Sequence, residues 1–590
     1  MKITRLFDLL QFQLESFPQQ DALCCKIERE WKKYSTKEVI QISNRVSLAL
    51  LKSGIKKDDK IAIISQNRPE WNFIDYGAQQ IGAVIVPIYP TITVEDFKFI
   101  FNDAEVKMVF VADYDLYTKA NEAAKNINSI IGIFSFNEIS DIPHWTSLTK
   151  AINEDDTTLL ESHRANVEKD DLVTLIYTSG TTGTPKGVML SHNNILSNVL
   201  ALKPLMPVNE KHRALSFLPL SHIYERMMHY LYTYCGISIY YAESLDTISD
   251  NLKEVHPHIF VTVPRLLEKV YDKIYAKGAD LTGIKKSLFF WALNLGLEYD
   301  ISRNQGWWYN FQLKLANKLI FKKWREALGG EIRAVVSGGA ALQPRLAKVF
   351  WAAQIKILEG YGLTETSPVI CVNRANKEEN RIGTVGPVIS GIEMKIAEDG
   401  EILTKGPHVM KGYFKRPDLT EQVVDREGWL HTGDIGTLVE GKFLKITDRK
   451  KEMFKTSGGK YIAPQMLENK FKESRVIEQI MVIGDGQKFP AALIVPSFIG
   501  LKAWCEIKGI PYSTDEEMIN QQEVKEKFLK EITQLNQSFA QYERVKKFEI
   551  LPRPWTIESG EMTPTLKLKR KNICSNNQAL IEKLYSDVEK

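Results

Sequence analysis

Short apolar runs and helical patterns take turns along the first three quarters of the chain. Runs at 60–65 (KIAIIS), 82–89 (GAVIVPIY), 107–112 (KMVFVA), 214–219, 259–263, 332–336 and 355–358 have the length and composition of buried strands. Amphipathic stretches such as 71–81 and 342–354 lie between several of them and predict helices. This alternation predicts an α/β architecture, with helices and largely parallel sheet in a large N-terminal domain. After about Thr447 the rhythm changes. Runs at 476–483 and 491–496 read as a strand pair across the turn Gly484-Asp485-Gly486, and a long charged helix is expected over 514–539. That part reads as a smaller α+β domain.

One segment breaks the pattern. Residues 285–324 (KKSLFFWALNLGLEYDISRNQGWWYNFQLKLANKLIFKKW) are dense in aromatics and lysine. Leu313, Ala316, Ile320 and Trp324 share one helical face, and Lys314, Lys318, Lys322 and Lys323 lie off it. Two readings stand open: a two-helix insertion packed on the core, or a basic, aromatic surface meeting an anionic membrane.

At 590 residues the chain exceeds what one core supports, so two or more domains are expected. A net charge of +4 is near balance and implies no nucleic-acid partner. The six cysteines are scattered; the adjacent pair Cys24-Cys25 has neither CxxC spacing nor companion histidines, which argues against a zinc or redox site and for a reducing compartment. The N-terminus meets Asp8, Glu15 and several glutamines before any long apolar run, and no segment reaches about 18 uninterrupted apolar residues. A cytoplasmic protein is expected, at most peripheral at the inner face of a membrane.

The densest chemistry lies at 178–187: Thr178, Ser179, Gly180, Thr181, Thr182, Gly183, Thr184, Pro185, Lys186 and Gly187. They follow a strand-like run at 172–177 and precede a second apolar run, a helix N-cap at Ser191 and a helix. Backbone N–H groups, hydroxyls and one ammonium gathered in one turn suit a polyphosphate. The glycines stand in the wrong register for GxxxxGK[ST], so this is a phosphate loop of another kind. It resembles the TSGTTGxPKG motif of the adenylate-forming enzymes, the superfamily of acyl-CoA synthetases, luciferases and peptide-synthetase adenylation domains.

Later motifs follow in that family's order. Glu359-Gly360-Tyr361-Gly362-Leu363-Thr364-Glu365 resembles the segment in which the tyrosine stacks on adenine, the threonine meets the α-phosphate and the glutamate helps hold Mg²⁺ with the loop's Thr181. Gly338-Gly339-Ala340 resembles the small-residue floor beneath adenine and acyl-adenylate, and Asp434 of His431-Thr432-Gly433-Asp434 the acceptor of both ribose hydroxyls. Asp448 matches the family's hinge and Arg449 its ribose-contacting arginine, giving domains 1–447 and 448–590 with a mobile C-terminal unit. Gly458 and Gly459 match the glycines of the pantetheine tunnel, where side chains would block the thiol arm. Lys567 aligns with the catalytic C-terminal lysine, with Lys569 as the competitor, and His222 with a histidine beside the carboxylate site. Arg226 stands where some long-chain members place a gating tryptophan, so that gate does not carry over; Tyr224 or an aromatic of the insertion is left for the acyl channel.

The forms NRPEW (67–71), SHIYER (221–226) and TPTLKLKR (563–570), with the insertion, resemble long-chain fatty acid–CoA ligases over essentially the full length. The resemblance implies ATP, coenzyme A and a fatty acid as substrates, Mg²⁺ as cofactor, and Lys186, His222 and Lys567 as catalytic groups. Oligomeric state stays open between monomer and homodimer. Three alternatives stand beside it: a fatty acyl-AMP ligase loading a carrier protein, a CoA ligase for medium-chain or aryl acids, and a non-catalytic adenylate- or lipid-binding protein.

Overall fold

The computed structural model describes residues 3–150, 152, 157–179, 185–563 and 567–586. Two large sheets form the N-terminal part. The first has seven strands in the order Gly412–Tyr413, Pro185–Ser191, Leu172–Ser179, Val84–Ile88, Lys60–Ile64, Val106–Val111 and Gly132–Ser135. The five from Leu172–Ser179 onward are parallel; the first two are antiparallel additions at one edge. The second sheet has eight strands, parallel in its middle, with antiparallel edges Val369–Val372 and Glu30–Tyr34.

Helices Pro69–Gln79, His192–Leu202 and Ile223–Cys235 contribute to the shared core of both sheets. Pro69–Gln79 is buried at ten of its eleven positions, so its sequence shows weak amphipathicity despite lying in the core. Ser191 caps His192–Leu202 through a reciprocal bond with Asn194, as expected from the sequence. Arg226 is 1% exposed and turned into the core. It pairs with Asp75 at 2.5 Å and donates to the Thr174 hydroxyl at 2.6 Å and the Tyr230 oxygen at 3.1 Å. A buried guanidinium is tolerable only when so fully paired.

The structure corrects three expectations. Alternation stops well before Thr447: residues 393–449 form an antiparallel sheet of Glu393–Ile396, Glu401–Lys405, Leu430–Val439 and Phe443–Arg449. The helix expected over 514–539 is two, Asp515–Asn520 and Gln522–Asn536, because Gln521 between them takes extended geometry (ψ 138°). Lys186 lies in a strand, Pro185–Ser191, paired with Leu172–Ser179 in a hairpin, and not in a free loop.

The expected pair Ile477–Ile483 and Ala491–Pro496 is antiparallel, and Lys547–Ile550 joins it in parallel. Helices Gln522–Asn536 and Pro464–Phe471 contribute to the core on this small sheet. The insertion comprises helices Gly283–Leu297 and Gly306–Ala316, a π-type turn Asn317–Phe321, and helix Lys322–Ala327. Ala316 and Trp324 are buried, Leu313 and Ile320 partly so, and Lys314, Lys318, Lys322 and Lys323 are exposed, as the helical face predicted.

Candidate active site

The hairpin Leu172–Ser179/Pro185–Ser191 puts Thr178 opposite Lys186, at the C-terminal edge of the first sheet's parallel strands, where α/β sheets place ligands. Gly180, Thr181, Thr182 and Gly183 lie outside the described residues. The Lys186 ammonium stands 5.3 Å from the Tyr413 ring centroid. Burial, then the nearby Lys451 charge, lowers its pKa, and Glu365 opposes the shift. The Tyr413 hydroxyl donates to Glu365 at 2.8 Å. Tyr413 thus touches both Lys186 and Glu365, the two groups expected from the sequence to meet the triphosphate and its metal, and the sequence alone did not single it out.

The residues expected to hold the nucleotide gather where the second sheet meets the antiparallel one. Tyr361, on Ile357–Gly362, donates its hydroxyl to one oxygen of Asp434 at 2.7 Å, and Arg449 Nε donates to the other at 3.2 Å. Asp434 and Arg449 are cross-strand partners, so sheet register brings them together. Gly362 has no space for a side chain: a Cβ there would lie 1.6 Å from the Pro368 carbonyl oxygen. Gly339 holds φ +82°, and a Cβ on Gly338 would come within 3.2 Å of the Tyr224 ring. Gly339 and Ala340 are exposed and Gly360 and Thr364 partly so. Glu359 is nearly buried, and burial raises its pKa to about 8 although it accepts the N–H groups of Leu342 and Gly383. Its carboxyl braces the loop that follows Ala340.

Two groups complete the cleft. His222 caps helix Ile223–Cys235, its Nδ1 accepting the Tyr224 N–H at 3.1 Å. Burial, then the charge of Lys567, lowers its pKa to about 4, so the imidazole is neutral at physiological pH. Lys567 extends from the small C-terminal body, its N–H held by the Thr563 hydroxyl at 3.0 Å. Solvent still reaches this lysine, yet protein surrounds its ammonium closely enough that burial, then Arg449, lowers its pKa. Asp434, Glu365 and Glu452 act on it in the opposite sense. The Lys567 ammonium thus lies within electrostatic reach of Asp434, Arg449 and Glu365.

The model of the family described as AMP-binding enzyme matches residues 10–414, and that of the AMP-binding enzyme C-terminal domain matches 452–589. The chain is 31% identical to long-chain-fatty-acid–CoA ligase FadD15 of Mycobacterium bovis over 572 residues, covering 95% of this chain and 93% of that one. It is 32% identical to human long-chain-fatty-acid–CoA ligase 1 over 596 residues, covering 95% and 83%. The chain belongs to the long-chain fatty acid–CoA ligase family of AMP-binding enzymes. Solved structures of two other CoA ligases share the fold: an anthranilate CoA ligase with anthranoyl-AMP (TM-score 0.72, 18% identity, 97% of each chain), and o-succinylbenzoate CoA synthetase of Bacillus subtilis with ATP and magnesium (TM-score 0.68, 21% identity, 95% and 98%).

In this ligase the junction between the bodies is held by bonds the sequence did not reveal. Asp448 is 1% exposed and accepts the N–H of Arg449 at 2.6 Å and of Gln465 at 3.0 Å. Gln465 lies in the first turn of helix Pro464–Phe471, whose own cap position supplies no side chain, so Asp448 caps that helix from across the junction. Burial raises the Asp448 pKa to about 7. Lys450 pairs with Asp399 at 2.6 Å and Glu401 at 2.8 Å, and Glu401 also takes the Gly433 N–H at 2.9 Å. Arg475 of the C-terminal body lies 4.2 Å from the Tyr275 ring centroid, and Arg265 pairs with Glu478. Gly458 and Gly459 sit at the exposed tip of the hairpin Phe454–Lys455/Tyr461–Ile462, with Gly459 at φ +75°. Tyr224 lies with its ring beside Gly338 and donates its hydroxyl to the Val336 carbonyl at 3.1 Å. Asn67 of NRPEW bonds the Ser216 hydroxyl, the Leu218 carbonyl and the Leu220 N–H, which fixes the loop leading to His222.

Proposed function

We propose that this chain activates a long-chain fatty acid with ATP and transfers it to coenzyme A. The observation that supports the reading is the grouping of Lys186 and Glu365 about Tyr413 and of Tyr361 and Arg449 about Asp434, with Lys567 in electrostatic reach of both carboxylates, in a family whose similar members bear that activity in their names. The orientation suits the first half-reaction. A fatty carboxylate oxygen attacks the α-phosphorus of ATP, the bond to the β-phosphate breaks, and acyl-AMP and pyrophosphate result. Lys186 faces the leaving pyrophosphate, Lys567 bridges the reacting groups, and Asp434 with Arg449 takes the ribose.

Glu365 supplies one carboxylate, and among the described residues no group of three His, Cys, Asp or Glu side chains could hold a metal unaided. That donor set fits Mg²⁺, which binds through one or two carboxylates and substrate phosphates, with Thr181 as the further expected ligand. When bound, the ion supplies neutralising charge to the triphosphate.

In the second half the C-terminal body, bounded at Asp448, rotates, withdraws Lys567 and turns Gly458 and Gly459 toward the cleft. The CoA thiol gives its proton to solvent, its sulfur bonds to the acyl carbonyl carbon, and the bond from that carbon to the phosphate oxygen breaks to release AMP. His222 and Tyr224 line the acyl side. Residues 366–447 are too few for the insertion usual in acyl-AMP ligases that load carrier proteins, and the similar proteins are named for CoA. The test is thioester formation across fatty acids of rising length. Long-chain acyl-CoA with stoichiometric AMP and pyrophosphate is expected; adenylate accumulating without thioester, or a preference for aryl acids, would overturn the reading.

A further inference from the structure

Helix Gly306–Ala316 and the turn after it carry a solvent-facing apolar stripe that the reaction does not use. Trp307 is 78% exposed, Trp308 57%, Phe311 55%, and Leu315 and Leu319 just over 40%. The rings meet one another instead of the core: Trp307 and Trp308 centroids lie 5.6 Å apart, and Trp308 stacks on Phe311 at 5.8 Å. The inner side is anchored. Tyr309 donates to the Leu295 carbonyl at 2.7 Å, Asn317 to the Ala352 carbonyl at 2.8 Å, and Arg325 to the Ala353 carbonyl at 2.8 Å. The stripe is thus held rigidly outward on a packed helix.

Single exposed apolar residues are ordinary; a contiguous patch with two tryptophans marks an interaction surface. Its charge says what it meets. Lys314, Lys318 and Lys322 interleave with the stripe, and Lys285 and Lys286 follow Ile284, which is 80% exposed on the neighbouring helix. Residues 283–327 hold eight lysines and arginines against three carboxylates, a surplus of five in a chain whose net charge is +4. Tryptophan at the headgroup level with lysine among it is the composition of a helix lying in an anionic membrane interface. No helix among the described residues is long and apolar enough to cross a membrane, so the contact is peripheral.

We infer that this face docks the protein on an anionic lipid bilayer, with Trp307, Trp308 and Phe311 inserted among the headgroups and the lysines against lipid phosphates. The inference rests on the long-chain reading above, since a long-chain fatty acid partitions into the same bilayer, and the aromatic stripe belongs to none of the cleft contacts. Each lysine near such a surface strengthens binding roughly five-fold.

The test uses the full chain with phosphatidylcholine vesicles and with mixed phosphatidylcholine–phosphatidylglycerol vesicles, sedimented at low and high salt. Wild type should pellet with the mixed vesicles at low salt. The triple variant Trp307→Ser, Trp308→Ser, Phe311→Ser should bind them roughly ten-fold or more weakly. Replacing Lys285, Lys286, Lys314 and Lys318 with glutamate should abolish the preference for anionic lipid. Fatty acid presented on albumin separates this inference from the enzymatic one: the triple variant should match wild type there and fall behind only with fatty acid supplied in vesicles. Wild type remaining in the supernatant, or a triple variant that pellets equally, overturns the docking. So does a wild-type dimer in solution that the triple variant converts to monomer, which would assign the face to a second copy. Wild type inactive on albumin-bound fatty acid would count against the ligase reading alone.

Discussion

Replacing Tyr413 with phenylalanine isolates one bond between the residues proposed to meet Mg-ATP. The hydroxyl donates to the Glu365 carboxylate at 2.8 Å, while the ring faces the Lys186 ammonium at 5.3 Å. Phenylalanine keeps the ring and removes the donor. A hydrogen bond to a charged group contributes about 1.5–3 kcal/mol, and the lower end applies because Glu365 is only partly buried and water can replace the donor. The expected loss in kcat/KM for Mg-ATP is therefore about ten-fold. Tyr413→Leu removes the ring as well, and a partly exposed cation–π contact adds about 0.5–1 kcal/mol, or a further two- to five-fold. The assay is pyrophosphate release at saturating fatty acid with Mg-ATP varied, beside thermal unfolding to confirm an intact fold. Wild-type kcat/KM in Tyr413→Phe would refute the claim that this hydroxyl orients Glu365. A Tyr413→Leu variant no worse than Tyr413→Phe would mean that the ring contributes nothing to Lys186.

Two further perturbations address other parts of the cleft. Asp448→Pro fixes φ near −65° at the junction and deletes the carboxylate that caps helix Pro464–Phe471, so one half-reaction should survive and the other be lost; both proceeding at wild-type rate would place the hinge elsewhere. Glu359 carries a folded pKa of about 8 against an ordinary 4.5, so the native state keeps a proton that the unfolded chain has lost, and stability should fall as pH rises between those values and level off above about 8. Glu359→Gln cannot ionise and should lessen that dependence in thermal melts, leaving the part that Asp448, raised to about 7, contributes with the same sign; an unchanged slope would mean that the Glu359 carboxyl is already ionised in the native protein.

Much of this organisation was legible because it is local. Parallel strands such as Val84–Ile88 are buried on both faces and read as unbroken apolar runs, and the cap at Ser191 declared itself in three residues. At Gly362 the glycine is required by close backbone approach, since a Cβ there would lie 1.6 Å from the Pro368 carbonyl oxygen. What escaped depends on contacts distant in sequence. Tyr413 lies on a two-residue strand, too short for any periodicity, and reaches Lys186 only because that strand pairs with Val188 and Met189 more than 200 positions earlier. Glu401 is an ordinary charge in sequence and becomes a clasp for Gly433 and Lys450 through strand pairing. Arg226 was read against a gating tryptophan, whereas its partner Asp75 lies on a helix about 150 residues upstream.

In the proposed mechanism Lys567 acts in one orientation only. With Lys567→Ala, adenylate formation from fatty acid and ATP should be abolished, while thioester formation from preformed acyl-AMP and coenzyme A proceeds near the wild-type rate. Equal loss of both half-reactions would contradict the claim that this lysine serves the adenylating state alone, and equal retention would transfer the role to Lys569.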